Sequence, residues 1–203
     1  MAIRTVLFDL GKVIVDFDFD VAYRRMGALS GLEKEEMRSR LRVNNLVRDF
    51  EMGRIPADDF LAEVNRRLGL SLDPLGFAEV WSSIFDRTPL LPESLLHRLR
   101  QRHRLLLLSN TNSLHFSMIR DNFPHIGHFD ALVLSHEVGA MKPEPAIYEA
   151  ALARAGCDPA ECLFFDDLAD NVEGARAVGM HAEQFISPEQ LHADLARFGI
   201  EVS

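Results

Sequence analysis

The stretch Thr5-Val6-Leu7-Phe8-Asp9-Leu10-Gly11-Lys12-Val13 decides how this chain is read. A short run without charge, bounded by polar residues or glycine, marks a strand covered on both faces. Thr5 to Phe8 is such a run, and it stops at Asp9 before turning through Gly11. The carboxylate is thereby delivered to the carboxyl edge of a sheet, where open α/β sheets hold their ligands.

Similar runs recur at Leu105–Leu108, Ala131–Leu134 and Leu163–Phe165, with a weaker one at His181–Phe185. Helical patterns at Pro92–Arg102, Pro145–Ala155 and Asn171–Val178 precede the second, fourth and fifth strands. Strands alternating with helices imply βαβ units, so the chain predicts a three-layer, Rossmann-like, doubly wound parallel sheet. Residues from about Phe17 to Arg87 break this rhythm, with helical spacing and no strand pattern. Gly27, Gly31, Gly53–Pro56 and Gly69–Pro74 interrupt the segment, and Pro56 precedes a helix start at Ala57 or Asp58. The expected division is a core of 1–16 and 88–203 with an inserted helical cap at 17–87.

The chain has 203 residues, of which 47% are hydrophobic, enough for one large domain or a domain with an insertion. Its formal net charge of −9 argues against nucleic acid as a partner. No apolar run approaches the ~18 residues of a membrane span, and no signal peptide is visible. Two cysteines, Cys157 and Cys162, are too few for a disulfide framework. A cytoplasmic setting is therefore expected.

Three further strand ends carry reactive groups. The second runs into Ser109-Asn110-Thr111-Asn112, whose hydroxyl and free backbone N–H groups form either an anion site or a helix cap. Lys142, in Met141-Lys142-Pro143, is either a point charge for phosphate or a solvated loop lysine. The fourth strand ends in Asp166-Asp167, with Asp170 and Asn171 completing the turn. Adjacent carboxylates repel unless a cation intervenes, and an oxygen-only cluster suits Mg²⁺.

In order, Phe8-Asp9-Leu10-Gly11, Leu108-Ser109-Asn110, Met141-Lys142-Pro143 and Phe165-Asp166-Asp167-Leu168-Ala169-Asp170-Asn171 resemble the four motifs of the haloacid dehalogenase (HAD) superfamily of phosphohydrolases. The resemblance spans nearly the whole chain, and the helical insertion looks like that family's mobile cap. It implies that Asp9 attacks phosphorus and becomes a transient aspartyl phosphate. It further implies that Ser109, the Asn110 backbone N–H and Lys142 hold the phosphate. Mg²⁺ would bind Asp9, the Gly11 carbonyl and Asp167, with Asp166 and Asn171 supporting that shell.

In most phosphatases of that superfamily an aspartate stands two residues after the nucleophile and serves as acid, then base. Gly11 can do neither, and a positioned acid or base is worth ~10²–10⁴-fold. Three explanations compete: a leaving group that needs little protonation, a substitute among Asp16, Asp18 and Asp20, or a protein that binds without turnover. The first predicts that Gly11→Asp raises turnover of alkyl phosphates more than of sugar 1-phosphates. The chain looks most like a bacterial branch that carries the same glycine and includes an α-glucose-1-phosphate phosphatase. Lys12 stands where that branch is expected to carry asparagine.

The implied function is a Mg²⁺-dependent phosphatase acting on a small phosphomonoester such as a hexose 1-phosphate. Alternatives are a sugar phosphomutase or phosphotransferase, a haloacid dehalogenase, and a non-catalytic phosphosugar-binding protein. Arg48, Asp49, Glu51 and Arg54, around Gly53, are either cap contacts to substrate or a solvated helix end. Trp81 and Phe85 are expected to pack, and His125 and His128 show no ligand geometry.

Overall fold

The computed structural model describes residues 2–201. Five parallel strands form the central sheet in the order β5-β4-β1-β6-β7: β1 Thr5–Phe8, β4 Arg104–Ser109, β5 Ala131–Leu134, β6 Cys162–Asp166 and β7 His181–Gln184. Successive residues of β1 point to opposite faces, so the sheet has an apolar core on each side. Val6 and Phe8 pack with Leu105, Leu107 and Phe165, against Leu95 and Leu99. Leu7 packs with Leu106, Leu108 and Phe164, against Ile147, Tyr148 and Val172.

The chain leaves β1 toward β4 and leaves β6 toward β7, so the sheet switches direction between β1 and β6. Asp9 and Asp166 lie at that crevice, where doubly wound sheets bind ligands. The expected α/β architecture with a helical insertion is the one observed.

The insertion carries α1 Phe19–Ser30, α2 Lys34–Arg42, α3 Leu46–Glu51, α4 Ala57–Leu68 and α5 Pro74–Trp81. They enclose their own apolar core of Met26, Met37, Leu41, Phe50, Phe60 and Phe77. The segment read as wholly helical carries strands at its two ends. Val15–Phe17 (β2) and Phe85–Pro89 (β3) form a two-stranded antiparallel sheet that straddles both expected boundaries. The middle of β3, Asp86-Arg87-Thr88, is exposed and lacks apolar alternation, so pairing with β2 makes it a strand.

The core's helices are α6 Glu93–Arg100, α7 Ser113–Asn122, α8 Ser135–Val138, α9 Pro145–Ala155, α10 Ala169–Ala177 and α11 Pro188–Arg197. No helix among the described residues is long and apolar enough to cross a membrane.

Candidate active site

Asp9 leaves β1 with its backbone N–H donated to the Phe165 carbonyl at 2.9 Å, which ties the first strand end to the fourth. Its Oδ1 accepts the Leu10 N–H at 2.7 Å and lies 2.8 Å from Lys142 Nζ. Lys142 Nζ also donates to Asp166 Oδ2 at 2.6 Å and to the Leu108 carbonyl at 2.9 Å. These contacts engage all three ammonium protons. Of the two readings the residues left open for Lys142, a solvated loop lysine is excluded: it is buried, with its charge between two carboxylates.

Asp166 is fully buried and heavily served. Asn171 Nδ2 donates to both its oxygens, at 2.9 and 3.1 Å, and the Leu168 N–H reaches Oδ1 at 2.9 Å. Asn110 has a role that sequence reasoning missed. Its side chain donates to the Lys142 carbonyl at 3.0 Å and accepts the Lys142 N–H at 2.8 Å, clasping the lysine's backbone. Ser109 is buried at the end of β4, with its Oγ 3.5 Å from the Asn110 carbonyl.

Oxygens of Asp9, Asp166 and Asp167 lie within 4.8 Å of one another. Three carboxylates face one buried ammonium, which leaves two negative charges without a near partner. Burial pushes Asp9 up to about 7, with Lys142 opposing and Asp166 adding to the rise. Asp167 is raised by burial and then by Asp166. Burial alone would lower Lys142, but Asp9 and Asp166 outweigh it and hold the ammonium charged. An oxygen-only cluster short of two positive charges fits a hard divalent cation such as Mg²⁺.

The profile of the haloacid dehalogenase-like hydrolases matches residues 3–179. The chain belongs to that family. This hydrolase is 32% identical to Phosphatase MT3486 of Mycobacterium tuberculosis, over 90% of the chain and 87% of the relative. It is 27% identical to a D-ribitol-5-phosphate phosphatase of Bacteroides thetaiotaomicron, over 90% and 91% respectively. The HAD family enzyme bt-2542 from B. thetaiotaomicron superposes with a TM-score of 0.88 at 26% identity, covering 96% and 99% of the two chains. Its complex with magnesium and inorganic phosphate superposes at 0.84 and 25% identity, covering 92% and 96%.

The helical insertion meets the sheet-bearing part of the hydrolase beside these motifs. Ser135 Oγ, fully buried, accepts the Thr111 N–H at 2.9 Å and points its proton at the Glu51 carbonyl, 2.6 Å away, and the Thr111 carbonyl, 2.8 Å away. One hydroxyl thus joins the end of α3 to the loop that follows Ser109 and Asn110. Gly53, at φ 67°, lies against the His136 carbonyl, where a Cβ would collide. Arg48 pairs with Glu144 at 2.6 Å, two residues past Lys142.

Arg48 therefore ties the helical insertion to the loop after Lys142, whereas Arg54 and Asp49 form an exposed pair at 3.0 Å. Burial pushes the Glu51 carboxyl up to about 7, with Arg48 opposing. His125 Nε2 lies 3.0 Å from the Leu91 carbonyl. Trp81 and Phe85 pack as expected, both against His115.

The three acids offered as substitutes for the missing side chain at Gly11 are all engaged elsewhere. Asp16 pairs with Lys12, which holds its carboxyl below the usual range. Asp18 caps α1 by accepting the Asp20 N–H at 2.8 Å. Asp20 pairs with Lys34 at 2.6 Å.

Proposed function

We propose that this hydrolase is a Mg²⁺-dependent phosphatase that cleaves a small phosphomonoester through an aspartyl phosphate on Asp9. The observation that carries the reading is the Asp9–Lys142–Asp166–Asp167 cluster, placed at the crevice where the sheet switches direction. Asp9, the Gly11 carbonyl and Asp167 would hold the metal. When bound, Mg²⁺ offsets the charge that otherwise keeps an anionic nucleophile from an anionic phosphate.

The chain's own residues supply the rest. An Asp9 carboxylate oxygen forms a bond to phosphorus as the bond from phosphorus to the leaving oxygen breaks. The hydroxyl of Ser109 and the N–H of Asn110 stand at the end of β4 as donors for the transferring oxygens. Lys142 contributes charge, with its backbone held by the Asn110 clasp and its ammonium by Asp166. Water then attacks phosphorus, the bond to Asp9 breaks, and the water's proton passes to solvent.

A sugar phosphate, with a hexose 1-phosphate favoured, is the substrate class we assign. Gly11 supports it, because an anomeric oxygen leaves more readily than an alkyl one. The D-ribitol-5-phosphate phosphatase among the relatives supports a polyol or sugar framework. The test is phosphate release from a panel of sugar phosphates with and without Mg²⁺. Asp9→Asn should lower turnover by about 10³-fold or more. Activity that survives this change, or that persists in chelator, would sink the reading.

A further inference from the structure

Gly11 is not only short of a carboxylate; there is no room for one. A Cβ built at position 11 would lie 2.5 Å from Cε1 and 3.1 Å from Cδ1 of Phe17. The ring is held in place. Phe17 ends β2 and pairs with Phe85, and its ring meets Phe19 and Phe85 edge-on at 5.2 and 6.2 Å. Lys12 Nζ sits 5.0 Å from its centroid.

We infer that Phe17 sets which leaving groups this site expels, by filling the volume that an acidic side chain at position 11 would need. The inference rests on the phosphatase reading above. The leaving oxygen meets an apolar wall instead of a proton donor, so it departs as the anion and takes its proton from water. Substrates are then phosphomonoesters whose leaving oxygen is weakly basic, namely anomeric or aryl phosphates.

The same ring lines a cavity of about 610 Å³ formed almost entirely by the helical insertion, a volume suited to a small-molecule body; Asp9 and Lys142 do not line it, and Phe17 faces both it and Gly11. Tyr23 and Trp81 line its aromatic side. Of its basic residues, Lys34, Arg38 and Arg48 are paired with Asp20, Glu35 and Glu144, and Arg42 adds a further positive charge. The body of the leaving group would lie along Phe17 toward this space.

Glucose 1-phosphate and glucose 6-phosphate share one sugar and differ in the leaving oxygen, and p-nitrophenyl phosphate supplies an aryl case. The wild type should favour the 1-phosphate and the aryl ester over glucose 6-phosphate and ribitol 5-phosphate. The sequence alone predicts that Gly11→Asp helps the alkyl esters; the contact with Phe17 corrects this, and Gly11→Asp alone should give no gain on them. Gly11→Asp with Phe17→Ala should raise their kcat/KM by about 10²-fold or more, the worth of a positioned acid. Phe17→Leu and Phe17→Ala alone should retain the wild-type affinity for inorganic phosphate, measured by calorimetry, which shows that the variants keep a folded site.

An equal gain from Gly11→Asp with Phe17 intact would overturn the steric argument. So would a wild type that prefers the alkyl esters. Lys12→Gln and Glu51→Gln should leave the ratio of 1-phosphate to 6-phosphate turnover unchanged; a loss confined to the 6-phosphate would reveal a proton donor already in place and overturn the inference. No phosphate release from any ester would instead defeat the phosphatase reading beneath it.

Discussion

The imidazole of His115 is buried in its neutral form. Its Nε2 lies 3.0 Å from the Trp81 carbonyl, so that nitrogen donates, and Nδ1 accepts from Asn112 at 3.1 Å. Burial pushes its pKa down to about 4, with the Trp81 contact opposing. The unfolded chain protonates its histidine near 6.5, so the contribution of His115 to stability is present above that pH and lost as pH falls toward 4, about 3 kcal/mol in all. Asp9 and Glu51, raised to about 7, act in the opposite sense. Without metal, their contribution is full below the ordinary carboxylate range and lost as pH rises toward 7. His115→Gln should therefore make the metal-free protein lose stability about twice as steeply as the parent between pH 4.5 and 6.5, as read by urea midpoints. An unchanged slope would remove His115 from the balance. Asp9, Ser109, Lys142 and Asp166 were legible because each closes or follows a run of apolar residues. Phe17 and the Asn110 side chain were not, since what they touch depends on which segments meet in space.

At the scale of elements, the parallel strands were legible and the β2–β3 pair was not. Buried strands advertise themselves by composition, as Leu105 to Leu108 do. A strand with Asp86, Arg87 and Thr88 exposed exists only through its partner. The docking of α3 on the core is equally a tertiary fact, built on Ser135, Gly53 and Arg48. Ser135→Ala removes a hydroxyl that serves the Thr111 N–H and the Glu51 carbonyl, and groups left unpaired in a buried place cost about 1–3 kcal/mol. The expected result is a lower urea midpoint together with a raised KM, because the same hydroxyl aligns the cap with the loop after Asn110. Arg48→Ala breaks an exposed pair and should change stability by less than about 1 kcal/mol. A KM untouched by Ser135→Ala would show that α3 docking does not govern substrate capture.

For the whole molecule, the acidic cluster couples folding to the divalent ion assigned to it. Mg²⁺ at 100 times its dissociation constant should add about 2.7 kcal/mol. For a chain of this size that corresponds to a Tm rise of about 5–10 °C. The rise should be larger at pH 8 than at pH 5.5, because Asp9 must ionise to take part, and Asp167→Asn should remove most of it. Equal shifts at both pH values would place the ion elsewhere. The polypeptide enters the cap at β2 and returns at β3, and these two crossings are hydrogen-bonded to each other through Val15–Pro89 and Phe17–Phe85. Entry and exit side by side should let the helical insertion be exchanged as a unit. A chimera joined after Phe17 would keep this chain's leaving-group wall under a foreign lid; one joined before it would import the donor's. Two such chimeras, differing in a few residues at one seam, would separate preference for the leaving oxygen from preference for the body attached to it.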